Sequence, residues 1–79
     1  MPEVLRMEGF IFYFFSREGN EPPHIHVRKD ENRCKYWLVP ISCDYNFGFK
    51  SKELKKIEGI IHDHFDFLKE AYDEYHSRI

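Results

Sequence analysis

The chain has 79 residues, an aromatic content of 18% and a formal net charge of −2 at neutral pH. A chain of this length forms one domain, residues 1–79, and buries only about 60% of its unfolded surface, so we expect marginal stability. The net negative charge argues against a general nucleic-acid coat protein. The longest apolar run, "FIFYFF", is too short to span a bilayer, so we expect no contact with a membrane.

The distribution of charge predicts an exposed helix face, and cysteine usage indicates the cellular compartment. Residues 1–52 hold eight Lys and Arg against seven Asp and Glu, whereas residues 53–79 hold four against seven. The acidic C-terminal part is typical of the solvated face of a helix. Cys34 and Cys43 lack metal-type spacing and predict free thiols. With no secretory signal pattern at the N-terminus, these features predict a cytoplasmic protein.

Alternating apolar residues predict three to four strands in the first half of the chain. A short strand at about residues 3–7 is followed by a tight turn at Met7-Glu8-Gly9, where glycine allows an unusual backbone angle. The second strand, at about residues 10–16, is apolar on both faces, as in a strand covered on both sides. Further strands at about 24–29 and 33–39 flank the polar turn "KDENR", and Pro40 ends the last one.

The second half of the chain predicts one long amphipathic helix. Residues 40–50 look mostly irregular, with room for a brief strand at their start. Apolar residues then recur every three or four positions, which predicts a helix at about residues 51–77 with Ser51 as its N-cap. Gly59 or the pair His62–Asp63 could interrupt this helix.

These elements predict an α+β fold: a small antiparallel β-meander packed on one long C-terminal helix. One helix covers one face of a sheet, yet the second strand is apolar on both faces. The loop 40–50 could cover the other face. A symmetric homodimer is the alternative that we favour, because exposed apolar patches often mark interfaces.

His24 and His26 are the most distinctive polar feature and lie within "EPPHIHV" at residues 21–27. Residues i and i+2 of a strand share a face and lie roughly 6.6 Å apart. The same alternation places Ile25 and Val27 on the opposite face, where we expect the helix. Both imidazoles can therefore converge on one ligand.

Three interpretations of the histidine pair stay open. The first is a divalent metal such as zinc, for which Glu18 or Glu21 would supply a further ligand. The second is phosphodiester cleavage, with His24 and His26 as general acid and base and the same glutamates as further catalytic candidates. The third is structural: the histidines bond to carboxylates of the "REGNE" loop and fix its shape, or pack within a dimer.

Phosphate or RNA binding has its own candidates. Arg17 and Arg28 flank the histidines, and four lysines cluster where the predicted helix begins, near N–H groups that favour anions. The complete set is Arg17, Arg28, Lys50, Lys52, Lys55 and Lys56. An ordinary solvated lysine-rich turn is the competing interpretation of the last four.

The sequence also resembles a bacterial family of unknown function, DUF4160, over nearly its whole length. "EGNEPPHIHV", an aromatic strand with Trp37-Leu38, Asn46-x-Gly48-Phe49 and "ELKKIEGII" carry the resemblance. The family's hallmark falls on Glu18, Gly19, Glu21, Pro22, Pro23, His24, His26 and Val27, and its supporting positions on Trp37, Gly48 and Phe49. His62 and His64 depart from the family pattern. The resemblance implies a small cytoplasmic protein, often encoded beside another small protein in an arrangement like a toxin–antitoxin module.

The leading functional hypothesis is therefore a toxin–antitoxin-like component that acts through protein–protein contact, as a homodimer or with a small partner protein. One alternative is a His-dependent or metal-dependent nuclease or hydrolase that uses His24 and His26. Another is an RNA-binding module. The sequence alone leaves open whether the protein is an enzyme.

Overall fold

A computed structural model describes residues 3–15 and 20–76. Within these residues, five strands precede two helices. They are β1 (Glu3–Met7), β2 (Phe10–Tyr13), β3 (His24–Lys29), β4 (Asn32–Leu38), β5 (Ile41–Phe47), α1 (Ser51–Asp63) and α2 (Phe65–His76). The α+β class is confirmed, but a fifth strand and a second helix replace the three to four strands and the single helix that the sequence predicts.

The sheet is an antiparallel meander in which the strands lie in chain order, β1-β2-β3-β4-β5. Met7 pairs with Phe10 across a two-residue turn in which Glu8 and Gly9 have φ angles of 52° and 86°. Positive φ at both positions is the geometry that matches the twist of a hairpin, so the predicted turn forms. Asp30 has a φ of 55° in the turn between β3 and β4.

The region 40–50 contains the strand that the sequence analysis underestimates. β5 pairs with β4 from Leu38↔Ile41 to Arg33↔Phe47, with a register shift at Lys35/Tyr36. β5 is an edge strand whose residues are half-buried or exposed, so it shows no apolar alternation to detect. Because β5 extends the sheet sideways, it does not cover the second face as a loop over residues 40–50 would.

The predicted single helix is divided at His64. The φ angle of His64 is −117°, outside the helical range, and its backbone N–H still donates to the carbonyl of Ile60. Spacing by three and four residues continues through this point, which is why the sequence predicts one helix. The N-cap of α1 is Lys50 and not Ser51; the Lys50 N–H donates to the Glu53 carboxylate at 3.1 Å.

The core lies between the helices and one face of the sheet. Its buried residues from the strands include Phe10, Phe12, Ile25, Val27, Cys34, Tyr36 and Leu38, Phe14 follows β2 directly, and its helix residues are Ile57, Ile60, Ile61, Leu68 and Tyr72. Each buried large apolar side chain contributes about 1.5–3 kcal/mol. The second strand is apolar on both faces as predicted, but it ends at Tyr13 and not at residue 16. No helix in the described part is long and apolar enough to cross a membrane.

Candidate functional site

His24 and His26 lie side by side on the sheet face that points away from the core. His24 pairs with Trp37 on β4, and His26 lies between Tyr13 on β2 and Lys35 on β4. The two imidazole centroids are 5.2 Å apart and the rings are nearly perpendicular. The i, i+2 spacing therefore places the histidines on one face, as the sequence predicts.

Both histidines are buried, with exposed fractions of 0% for His24 and 2% for His26. Five aromatic residues surround them, and we call this group the aromatic enclosure. The centroids of its members lie 4.5–6.5 Å from the nearer histidine ring; they are Tyr13, Phe15, Trp37, Tyr45 and Tyr72. The histidines therefore belong to a second, aromatic cluster on the sheet face opposite the core.

The C-terminal part of α2 reaches this cluster, although the sequence places the whole helix on the other face. The Tyr72 ring contacts both Phe14 in the core and His24 in the enclosure, at centroid distances of 5.6 and 5.4 Å. The Tyr72 hydroxyl also donates a hydrogen bond of 2.8 Å to the carbonyl of Glu21. α2 thus closes the end of the sheet where β3 begins.

Local hydrogen bonds fix which nitrogen of two histidines carries a proton. His24 Nδ1 lies 3.0 Å from the carbonyl oxygen of Pro22, and His76 Nδ1 lies 2.9 Å from that of Tyr72. A carbonyl oxygen only accepts, so each Nδ1 donates and each neutral ring keeps its lone pair on Nε2. His76 Nε2 is buried with no hydrogen-bond partner among residues 3–15 and 20–76.

A comparison with models of known protein families identifies the family of the chain. Residues 9–73 match the family described as Domain of unknown function (DUF4160). The chain belongs to this family. No curated protein and no solved structure matches the chain. The matched residues run from the turn before β2 into α2, so they include both histidines and the aromatic enclosure.

In this DUF4160 member, the polar neighbour of the enclosure is an ion network centred on Lys35. The Lys35 ammonium lies 2.5 Å from the Glu21 carboxylate and 3.5 Å from that of Asp44, and it sits 4.4 Å above the Trp37 ring. Glu21, a candidate catalytic residue or metal ligand, is thus engaged by a lysine. Sequence reasoning missed Lys35 and Asp44, because nothing local links residues 21, 35 and 44.

The part of the chain that the structure describes contains no complete set of ligands for a metal ion. Among those residues, no group of three or more His, Cys, Asp and Glu side chains is arranged to hold a metal ion. Glu18, the other predicted ligand and catalytic candidate, lies outside the described residues, as does Arg17. The zinc hypothesis for His24 and His26 stays a prediction.

The predicted anion-binding residues that the structure describes, which exclude Arg17, lie on two different sides of the fold. Arg28 shares the histidine face, with its guanidinium carbon 5.8 Å from the Tyr13 ring centroid. Lys50, Lys52, Lys55 and Lys56 are exposed around the start of α1, which packs on the other face. The structure therefore does not bring the lysine cluster to the histidines.

The other two histidines that the sequence analysis named and the two cysteines lie away from the His24–His26 pair or in ordinary local contacts. His62 is exposed on α1, and His64 is half-buried with its Nδ1 3.0 Å from the carbonyl of Ile60. Cys34 and Cys43 are free thiols. Burial raises the pKa of Cys34 to about 12 and also raises the pKa of Cys43, so both are protonated at neutral pH and poor nucleophiles.

Proposed function

We propose that this DUF4160 protein is a cytoplasmic component of a toxin–antitoxin-like pair that acts by binding another protein. One observation carries the choice of binding over catalysis: both motif histidines are buried within the aromatic enclosure. A general acid or base must come within about 3 Å of the group with which it exchanges a proton. A phosphodiester cannot approach His24 or His26 so closely while the enclosing rings are in place.

The surroundings of the histidines favour a supporting role. His24 bonds to the carbonyl of Pro22, two residues before the strand begins, and His26 packs between Tyr13 and Phe15. Adjacent Pro22 and Pro23 restrict the backbone that leads into β3. This arrangement holds one end of the sheet in a single conformation, which is useful for a surface that docks onto a partner.

The same sheet face offers accessible apolar surface at and beside the enclosure. Outside the enclosure, Phe47 is 66% exposed and Ile11 is half-buried, and the enclosure members Trp37 and Tyr45 are also half-buried. The helices pack mainly on the opposite face, and only the C-terminal part of α2 reaches the histidines. A protein partner would remove this apolar surface from water, which is the main driving force of most protein association.

Co-expression with the product of the neighbouring gene tests the proposal. We expect the two proteins to co-purify, and we expect His26→Ala to weaken both complex formation and thermal stability because it opens a gap in the enclosure. His62→Ala is the matched control, since His62 is exposed, and it should change neither property. The proposal fails if the wild-type chain binds no neighbouring product. It also fails if a folded His26→Ala protein still binds the partner but has lost a cleavage activity of the wild type.

RNA binding is a second candidate, favoured by the four exposed lysines around the first turns of α1. Phosphate contacts make affinity fall steeply with salt. Replacement of Lys50, Lys52, Lys55 and Lys56 by Gln should then abolish RNA binding and its salt dependence. Unchanged affinity of that variant for a single-stranded oligonucleotide would remove this candidate.

A further inference from the structure

A row of side chains crosses all five strands on the sheet face that carries His24, at the end of the sheet away from it. Successive pairs in the strand register define it: Arg6↔Ile11, Ile11↔Arg28, Arg28↔Arg33 and Arg33↔Phe47. We call these five residues the arginine row. Neighbouring strands are about 4.8 Å apart, so the row presents three guanidinium groups and two apolar side chains along one line.

A carboxylate of the same chain balances the arginine row at its β1 end. Glu3 accepts hydrogen bonds of 2.9 and 2.8 Å from Arg6. The hydrogen bonds from Arg6, and also the charge of Arg28, lower the pKa of Glu3, so both arginines lie close to this carboxylate. Arg33 is exposed, and its side chain forms no ion pair or hydrogen bond with another residue of 3–15 or 20–76. The row therefore keeps an unbalanced positive charge at Arg33.

The two cross-strand neighbours of Arg33 do not stabilise its charge. On one side Arg33 is directly opposite Arg28, and like charges in this position destabilise a sheet. On the other side it is opposite Phe47. A carboxylate from another molecule would offset this repulsion, and the planar guanidinium of Arg33 can donate two parallel hydrogen bonds to it.

Phe47 adds an apolar contact surface beside Arg33. Its side chain is 66% exposed, and its ring centroid lies 5.2 Å from that of the half-buried Tyr45. Both residues belong to β5, the edge strand, so in the described part of the chain no further strand lies beside them. Arginine and aromatic residues together are typical of the centre of a protein interface. An apolar side chain that packs here would remove ring surface from water.

We infer that the arginine row binds an acidic segment of a partner protein. A carboxylate of that segment pairs with Arg33, and an apolar side chain next to it packs on Phe47 and Tyr45. A second copy of this chain does not fit the same surface, because two rows placed face to face would bring their guanidinium groups together. The inference rests on the proposed function, since it names the surface and the chemistry of the partner that the proposed function requires.

The carboxylates around the arginine row favour a protein segment over a nucleic acid. Glu8, Asp30 and Glu31 lie in the hairpin turns at one side of the row, and the formal net charge of the chain is −2. A nucleic acid carries a phosphate charge on every nucleotide, so a strand that extended beyond the row would be repelled by these carboxylates. A protein segment can confine its acidic residues to the few positions that face the row.

Binding of charged copolymers to the full chain tests the inference. The probe is a fluorescein-labelled random copolymer of Glu and Tyr, a copolymer of Lys and Tyr is the probe of opposite charge, and fluorescence anisotropy measures affinity. The wild type should bind the first probe and not the second, with an affinity that falls as salt is raised. Arg33→Glu should weaken binding about tenfold because it places carboxylates together. Phe47→Ala should weaken binding about fivefold because the apolar contact is lost.

Matched controls place the same changes elsewhere on the chain. Lys55→Glu reverses a charge on exposed α1, and Phe67→Ala removes a half-exposed ring on α2. Both variants, folded by circular dichroism, should bind the Glu–Tyr copolymer as the wild type does. The inference is overturned if the wild type does not bind that copolymer or if Arg33→Glu and Lys55→Glu lose affinity equally. It is also overturned if an oligo-uridine strand binds through Arg33 more tightly than the copolymer, since the row would then be a nucleic-acid site.

Co-purification with the neighbouring gene product separates this inference from the proposed function. We expect Arg33→Glu and Phe47→Ala to reduce co-purification, and Lys55→Glu and Phe67→Ala to leave it unchanged. A product that binds Arg33→Glu, Phe47→Ala and the wild type equally refutes the arginine row as the docking surface but supports the proposed function. A product that does not bind the wild type refutes the proposed function, and the copolymer measurements then decide the inference alone.

Discussion

The hydroxyl of Tyr72 donates a hydrogen bond of 2.8 Å to the carbonyl oxygen of Glu21, which lies 51 residues earlier in the chain. This bond joins α2 to the segment that leads into β3. The side chain of Glu21 meanwhile pairs with Lys35 on β4. One short segment before the histidines is therefore fixed by its backbone to a helix and by its side chain to the sheet.

Removal of the Tyr72 hydroxyl should loosen this junction without disturbing the packing. Tyr72→Phe keeps the ring between Phe14 and His24 and leaves the Glu21 carbonyl without this donor. We expect a loss of about 1 kcal/mol in the free energy of unfolding, measured by urea denaturation. Tyr75→Phe is the control on the same helix, where the half-buried ring stacks on Phe14 at 5.9 Å. Equal effects of the two substitutions would contradict a specific role for the Tyr72–Glu21 bond.

Two glycines of this chain should respond to alanine in opposite directions. Gly48 has a φ of 100°, and a Cβ there would clash with the Asn32 side chain, so Gly48→Ala should cost more than about 1 kcal/mol. Gly59 lies in α1 and a Cβ there meets no atom within 4 Å, so Gly59→Ala should stabilise by about 0.5–1 kcal/mol. Thermal unfolding of both variants measures the difference. A neutral Gly48→Ala would show that the turn before α1 adapts to a side chain.

Local pattern was sufficient for the hairpin at Glu8-Gly9 and for the shared face of His24 and His26, because both depend on residues within a few positions. β5 was underestimated because an edge strand has no buried face, and Ser42, Cys43 and Asp44 are all exposed. Apolar spacing continues from Ile61 to Leu68 across the division at His64, so the sequence favours one helix and only allows the break near His62–Asp63 that the structure has.

The sequence predicts where the site lies better than it predicts which residues surround it. The motif pointed to His24 and His26, but their partners come from distant segments. Lys35 looks like a solvated residue in an alternating strand, yet it is only 6% exposed and pairs with Glu21 and Asp44. The contact of Tyr72 with His24 depends on α2 passing the end of the sheet, a tertiary arrangement that helical spacing does not encode.

The two thiols should differ in reactivity and in their effect on pH-dependent stability. Cys34 is buried and Cys43 is exposed, so alkylation of the native protein at pH 8 should modify Cys43 first, as measured by intact mass.

The pKa of Cys34 rises from 9.0 to about 12 on folding because burial disfavours the thiolate. The contribution of the protonated Cys34 to the free energy of unfolding is complete below pH 9. It is lost as pH rises from 9 towards 12, by up to about 1.4 kcal/mol per pH unit.

The variant Cys34→Ala isolates this effect. It should be less stable than wild type at pH 7 because it leaves a small cavity. The difference should narrow above pH 9, since only in the wild type does the unfolded chain then gain stability by ionising a thiol that the folded chain keeps protonated. Cys43→Ala is the control at the exposed position. A constant difference between Cys34→Ala and wild type from pH 7 to pH 10.5 would show that Cys34 does not retain its proton on folding.

Lys35 should matter more to stability than an exposed lysine that forms an equally short ion pair. Lys35→Met keeps the length of the side chain but leaves Glu21 and Asp44 without their shared cation and removes the charge above the Trp37 ring. Both carboxylates are about one-third exposed, so solvent screens part of the interaction, and we expect the free energy of unfolding to fall by about 1–2 kcal/mol.

The control is Lys69→Met, which breaks the pair with Asp73 on the surface of α2 and should lower the free energy of unfolding by less than about 0.5 kcal/mol. Urea denaturation at low and high salt distinguishes the two variants, because salt screens the exposed pair more strongly than the partly buried network. Equal losses for both variants would indicate that the Lys35 network is no stronger than an ordinary surface pair.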